Sequence, residues 1–150
     1  MIYIGADHRG YELKEKIKTW LSGWSYQYED MGAREYNKDD DYPDFATAVA
    51  TAVARSLSKG EGTKGILVCG SGIGVAIAAN KIKGVRAGTA MKTEQVKASV
   101  NDEDLNVLAI SADYTGEEET KEIVITYLET KFSGEGRHVR RINKIKELEK

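Results

Sequence analysis

The chain has a single cysteine, Cys69, and a single proline, Pro43, among 150 residues. One cysteine excludes an intrachain disulfide framework and fits a reducing compartment. Long apolar runs are also missing. Met1 leads directly into Ile2-Tyr3-Ile4 with no charged leader, so no signal peptide or membrane span is expected. An excess of one charge is absent too: 22 Lys and Arg stand against 24 Asp and Glu, a formal net charge of -2. That balance argues against nucleic acid or an anionic membrane as the partner. No internal repeat, low-complexity tract or linker interrupts the chain. The expectation is one cytoplasmic domain over residues 1–150, long enough to bury its own core.

What is present alternates between short apolar runs and longer amphipathic segments. Strands are predicted at Ile2–Ala6, Tyr26–Glu29, Ile66–Cys69, Val85–Gly88 and Asn106–Ser111. Helices are predicted at Tyr11–Leu21, Pro43–Leu57, Ile73–Asn80, Thr93–Val100, Gly116–Phe132 and Arg137–Glu149. Pro43 suits a first helical turn. Strands separated by helices imply βαβ units with right-handed crossovers, hence an α/β protein built as a three-layer α/β/α sandwich on a five-stranded, mostly parallel sheet. Ligands of such sheets bind beyond the carboxyl ends of the strands. Three polar clusters fall there: Asp7-His8-Arg9, Cys69-Gly70-Ser71 and the turn after Ser111. The last helix has little sheet left to cover. Its seam of Ile142, Ile145 and Leu148 is expected to dock on a partner subunit.

Residues 65–80 read as a buried strand, a glycine-rich turn and a small-residue helix. Cys69 closes the strand, beside free backbone N–H groups that bind anions and stabilise a thiolate. Gly70, Gly72 and Gly74 permit close backbone approach to a ligand, although such a turn serves equally to pack helix on sheet. Their Gly-x-Gly-x-Gly spacing is not a dinucleotide fingerprint, and no acid closes the next strand, so no nucleotide cofactor is expected. Asp7-His8-Arg9 reads either as a helix cap with two solvated bases or as a hydroxyl-binding carboxylate beside two anion-binding groups. Arg137 and Arg141, four apart, share a helix face suited to phosphate oxygens or to plain solvent. Asp39-Asp40-Asp41 resembles a ligand set, but adjacent carboxylates in a polar loop commonly just solvate it, and no metal is expected.

Taken together these motifs resemble the family of type B ribose-5-phosphate isomerases and galactose-6-phosphate isomerases. The resemblance runs through G-A-D-H-R-G-Y-E-L-K near the start, D-Y-P-D-F-A at Asp41–Ala46 and C-G-S-G-I-G-V-A-I-A-A-N at Cys69–Asn80. It continues in N-V-L-A at Asn106–Ala109 and G-R-H-V-R-R at Gly136–Arg141. It implies a Rossmann-like fold, a homodimer or homotetramer with sites across the subunit interface, and metal-free aldose–ketose isomerisation through a cis-enediolate, with no cofactor. By the same resemblance Cys69 is the proton-transferring cysteine; the branch using a glutamate carries it at the position of Val75. Ser71 and the Gly70–Gly74 backbone stabilise the enediolate, Asp7 handles substrate hydroxyls, His8, Arg137 and Arg141 are phosphate ligands, and Asp44 lies in the matching Tyr-Pro-Asp motif; Arg9 joins the substrate-binding candidates from its place beside Asp7 and His8.

Two departures stand out. Asp102-Glu103-Asp104 occupies the place of a family His-Asn-Asp whose histidine opens the sugar ring, which makes Asp102 the candidate for that step. Ser111-Ala112-Asp113 stands where the family commonly has Gly-x-Arg, with the arginine on a phosphate. A carboxylate ~6 Å from a phosphate costs about 3 kcal/mol per unit charge at an effective dielectric of ~20. The expected substrate is ribose 5-phosphate. The alternatives are another sugar phosphate, such as an acyclic tetrose or a hexose phosphate, or a non-catalytic sugar-phosphate binder.

Overall fold

The computed structural model describes residues 1–149. Its strands are β1 (Ile2–Ala6), β2 (Tyr28–Asp30), β3 (Lys64–Cys69), β4 (Ala87–Thr89) and β5 (Val107–Ser111). Its helices are α1 (Tyr11–Gly23), α2 (Tyr42–Ser58), α3 (Ile73–Ala79), α4 (Thr93–Glu103), α5 (Glu117–Glu129) and α6 (Gly136–Lys146). The strands form one sheet in the order β2-β1-β3-β5-β4, and every pairing is parallel.

Alternation along the central strands makes the three layers, because successive side chains leave opposite faces. Ile66 and Val68 of β3 and Leu108 and Ile110 of β5 pack with Ile17 and Leu21 of α1, Val96 and Val100 of α4, and Ile123 and Tyr127 of α5. Leu67 and Cys69 of β3 and Val107 and Ala109 of β5 face the other way, onto Ala46, Val49 and Val53 of α2 and Val75 and Ala79 of α3. Each large side chain fully withdrawn from water contributes about 1.5–3 kcal/mol. The Cys69 side is lined by Ala and Val, so α2 and α3 lie close to the strand ends.

One buried and one half-buried polar group tie the layers together. The Tyr127 hydroxyl donates to the Gly65 carbonyl at 3.1 Å, and burial pushes this phenol well above its ordinary range. Lys64 Nζ donates to the Tyr127 and Thr130 carbonyls at the end of α5, at 2.6 and 3.3 Å, and burial lowers its pKa.

The observed edges differ from expectation where side chains or turns take over backbone bonds. Strand β4 starts at Ala87 rather than Val85, because Arg86 N donates to the Asn106 side chain and Val85 N closes a turn on Ile82. Strand β2 starts at Tyr28 because Tyr26 N bonds back to Leu21 at the end of α1. Helix α6 stops at Lys146, and Leu148 and Glu149 follow in tight i to i+3 turns. Of its apolar seam, Ile142 is buried within the chain, whereas Ile145 and Leu148 remain exposed. These two line a cavity of about 570 Å³ together with Val85 and Leu105.

Candidate active site

Strand order and register place the site. Strand β1 has β2 on one side and β3 on the other, so the chain reverses its direction of travel between β1 and β3. A crevice opens there beyond the strand carboxyl ends. Ala6 pairs with Val68, and Cys69 with Ser111. Asp7, Cys69 and Ser111 therefore stand at one level on three adjacent strands. A cavity of about 230 Å³ is lined by Asp7, Arg9, Tyr42, Cys69, Gly70, Ser71 and Gly74.

Cys69 is buried, and Gly72 N donates to its Sγ at 3.2 Å. Such a bond is stronger to a charged acceptor than to a neutral one. Gly72 is required there: its φ is +76°, and a Cβ would lie 2.9 Å from both the Ile110 carbonyl carbon and Thr89 Cγ2. The exposed Ser71 hydroxyl accepts from Ile73 N at 3.2 Å. The turn after β5 is fastened to this loop from below. Ser111 Oγ donates to the Gly70 carbonyl at 2.7 Å, and Ala112 N and Asp113 N donate to the Cys69 and Gly70 carbonyls.

The two bases after Asp7 are paired. Arg9 forms an ion pair with Asp113, and its guanidinium lies against Gly70, where a Cβ would come within 2.4 Å of Cζ. The carboxylate that stands in place of the family arginine is thus partly neutralised by Arg9, and the same pairing occupies one of the site's cations. His8 is held by Asp40, with its backbone N at 3.0 Å and Nδ1 at 2.7 Å from one carboxylate oxygen. Asp7 itself is buried and accepts from Gly10 N at 3.1 Å, an Asx-type turn that ends the strand. The expectation that Asp39–Asp41 merely solvate their loop fails for Asp40, whose side chain is only 9% exposed. Tyr42 is the other residue that sequence reasoning passed over. Its neighbour Asp44, a candidate, is exposed and does not line the cavity, whereas the Tyr42 ring closes over Gly74.

Asp102, Arg137 and Arg141 are not brought to Cys69 within one chain. Asp102 lies in the last turn of α4, just before β5 begins, and α6 starts where α5 has run back to the same end of the sheet. Strand β5 alone, at ~3.3 Å per residue, separates that end from the Cys69 level by roughly 13 Å. There Asp102 Oδ1 accepts from Asn101 at 2.8 Å and lies 3.6 Å from the buried His138 ring. Arg137 and Arg141 are exposed beside it, Arg137 paired with Glu135. The chain carries two polar clusters at opposite ends of one sheet.

A parallel α/β sheet with a thiol, a carboxylate and a glycine turn at its switch point defines a small-molecule enzyme scaffold of the sugar-phosphate isomerase kind. The ribose/galactose isomerase family matches residues 2–145, and the chain belongs to that family. It is 39% identical over 149 residues to a probable ribose-5-phosphate isomerase B of Mycoplasma genitalium, covering 99% of this chain and 95% of that one. It is 38% identical over 148 residues to the ribose-5-phosphate isomerase B of Escherichia coli, again covering 99% and 95%. Its fold superposes on ribose-5-phosphate isomerase B of Clostridium thermocellum with a TM-score of 0.91, at 39% identity, over 99% of this chain and 96% of that one. The M. genitalium enzyme with bound ribulose-5-phosphate gives the same TM-score at 37% identity, over 99% and 95%.

Proposed function

We propose that the chain is a metal-free aldose–ketose isomerase of a phosphorylated sugar, interconverting ribose 5-phosphate and ribulose 5-phosphate. The observation that carries this is that Cys69 and Asp7 line the same cavity at the switch point, with the glycine turn between Gly70 and Gly74. The M. genitalium relative binds ribulose-5-phosphate on the same fold, which supports the substrate.

In this reading the Cys69 thiolate removes the C2 proton of the open-chain aldose and returns it to C1. The negative charge that develops on O1 and O2 faces the backbone of the Gly70–Gly74 turn and the Ser71 hydroxyl, donors already fixed in place. Asp7 moves the hydroxyl protons between O1 and O2.

The phosphate is gripped by a second copy. The partner subunit's Arg137 and the partner subunit's Arg141 reach over the cavity, because this chain's own pair lies at the far end of its sheet. A homodimer is therefore the minimal active unit, and the exposed Ile73 and Ile77 on α3 beside the glycine turn supply apolar surface for it. A single unpaired thiol that must stay reduced accords with a cytoplasmic setting.

The test is Cys69→Ala, read by solvent-deuterium incorporation into ribose 5-phosphate and ribulose 5-phosphate, with circular dichroism as the folding control. Loss of at least about 100-fold in exchange with an unchanged spectrum is expected. Full exchange in that variant refutes the mechanism. A second reading, an isomerase of an acyclic tetrose phosphate, is favoured by Asp102 standing where the family has its ring-opening histidine, since an acyclic substrate needs no ring opening, and the same assay on erythrose 4-phosphate decides it. Binding of sugar phosphates without any exchange in the unmodified chain would mark a non-catalytic binder.

A further inference from the structure

The isomerisation proposed above puts negative charge on O1. As Cys69 takes the C2 proton, the C–H pair becomes the C1–C2 double bond and the carbonyl pair moves onto the oxygen. A donor for that oxygen is most effective when it is held in place before the charge appears, since it then costs no reorganisation. Resting on the isomerase reading, we propose that Ser111, buried beneath the cavity, is a positioning residue that aims the Ser71 backbone N–H at the enediolate oxygen.

Ser111 is the last residue of β5, pairs with Cys69 across the sheet and is 1% exposed. A serine hydroxyl has one hydrogen to give. Here it goes to the Gly70 carbonyl at 2.7 Å, while the oxygen accepts from Tyr114 N at 3.0 Å. Asp113 N donates to the same Gly70 carbonyl, also at 3.0 Å. Two donors of the β5 turn therefore hold that oxygen from one side. The Gly70–Ser71 peptide is trans, so its N–H points opposite to its C=O, away from β5. The cavity lies on that side: Gly70 and Ser71 line it with Asp7, Cys69 and Tyr42, whereas no residue of the turn from Ser111 to Tyr114 does. The Ser71 N–H has no acceptor among the described residues, which leaves it open to a ligand.

The other bonds of the loop leave this peptide to the β5 turn. Gly72 N–H is spent on Cys69 Sγ and Ile73 N–H on the Ser71 hydroxyl, so neither sets the plane between Gly70 and Ser71. Asp113 N comes from a turn that Ser111 itself closes through Tyr114 N. The one hydroxyl thus governs both bonds on the Gly70 oxygen. A hydroxyl that only closed the turn would support the fold, and its loss would weaken every ligand of the cavity alike. A hydroxyl that aims a donor matters most where negative charge develops.

The experiment compares Ser111→Ala and Ser111→Cys with the unmodified full chain. Each is read by kcat and KM for ribose 5-phosphate and by the Kd of two phosphates. One is a four-carbon aldonohydroxamate phosphate, whose hydroxamate anion mimics the enediolate; the other is ribitol 5-phosphate, which has no such charge. Removing an oxyanion donor outright costs about 10²–10³ in kcat, and Ser111 acts through one peptide, so Ser111→Ala is expected to lower kcat at least about tenfold. The hydroxamate Kd should rise by a similar factor, while KM and the ribitol 5-phosphate Kd stay within about twofold. Ser111→Cys fills the same space with a weak S–H donor and should fall between the two. It carries the test if Ser111→Ala fails to fold. In a folded variant, an unchanged hydroxamate Kd, or an equal weakening of both ligands, overturns the inference and leaves the isomerase reading standing. Absence of any solvent exchange in the unmodified chain refutes that reading, and this inference with it.

Discussion

Replacing Lys14 by methionine tests how the loop that carries Asp40 is held. The Lys14 side chain has no solvent exposure, and its Nζ lies 2.8 Å from both oxygens of Asp30 and 2.5 Å from the Ala33 carbonyl. It thereby ties α1 to the end of β2 and to the start of the loop that carries Asp40. Methionine fills similar volume but leaves the Asp30 carboxylate, 15% exposed, without its buried partner. Removing one member of a buried pair costs about 3–5 kcal/mol. Asp30 keeps Lys18 at 2.8 Å and the Gly32 N–H at 2.9 Å, which puts the expected loss near the lower end, about 3 kcal/mol. At about 2–4 °C per kcal/mol for a chain of this length, Tm falls by roughly 6–12 °C. Differential scanning calorimetry measures it. The companion Lys14→Met/Asp30→Leu variant removes both charges and recovers most of the loss, because an apolar pair of similar volume needs no desolvated partner. A Lys14→Met protein melting within about 1 °C of the unmodified chain would refute this account of the network.

Acid stability follows from the same carboxylate. Burial alone would raise the Asp30 pKa, but the Lys14 and Lys18 ammonium groups and the Gly32 N–H outweigh it and hold the carboxyl below its ordinary value. A depressed folded pKa means that the stabilisation is complete above the unfolded value of about 4 and is lost as pH falls through the lower folded one. Tm measured from pH 6 downward should therefore begin to drop below about pH 4, and Asp30→Asn should flatten that drop; an unchanged slope would show that other groups govern it. Gly72→Ala forces a side chain into a left-handed backbone at about 1–2 kcal/mol, and its Cβ presses on the Ile110 backbone 2.9 Å away. The expected outcome is a lower urea midpoint together with loss of isomerase activity, since the N–H facing Cys69 Sγ moves. Retention of both would mean that the turn relaxes freely.

Much of the architecture was legible because the strands of a parallel sheet are nearly continuous apolar runs and the helices between them carry regular seams. Ile66–Cys69 and the Leu13, Ile17 and Leu21 spacing needed no tertiary knowledge. What escaped was set by pairings distant in sequence. Nothing local in Arg86 or Asn106 announces that a side-chain amide replaces the strand bond at Arg86 N. Nothing local in Asp39-Asp40-Asp41 tells which carboxylate turns inward, because the choice depends on His8, 32 residues away. Tyr42 was hidden by its place at a helix start, where aromatic residues usually pack against the chain's own core, and only the fold puts it over Gly74.

Topology also explains why the departure at Asp113 falls beside the site. The turn after β5 is bonded to the Cys69–Gly70 backbone at three points, so its side chains must lie beside the cavity whatever they are. With an arginine there the turn would add positive charge for a phosphate. With Asp113 it ties up Arg9 instead, leaving the strand-end cluster with fewer free cations. His8, the remaining base at that end, is likewise bound to a carboxylate. Under the proposed function an anion is held through Arg137 and Arg141 of a second subunit, because the exposed guanidiniums of this chain lie at the opposite end of its sheet. The division is consistent with the chemistry proposed for each half: the strand ends, rich in paired acid and base, move protons, and the charged face of α6 holds the phosphate. On this arrangement, an isolated monomer would keep Cys69 and its glycine turn intact and still turn over a phosphorylated sugar poorly.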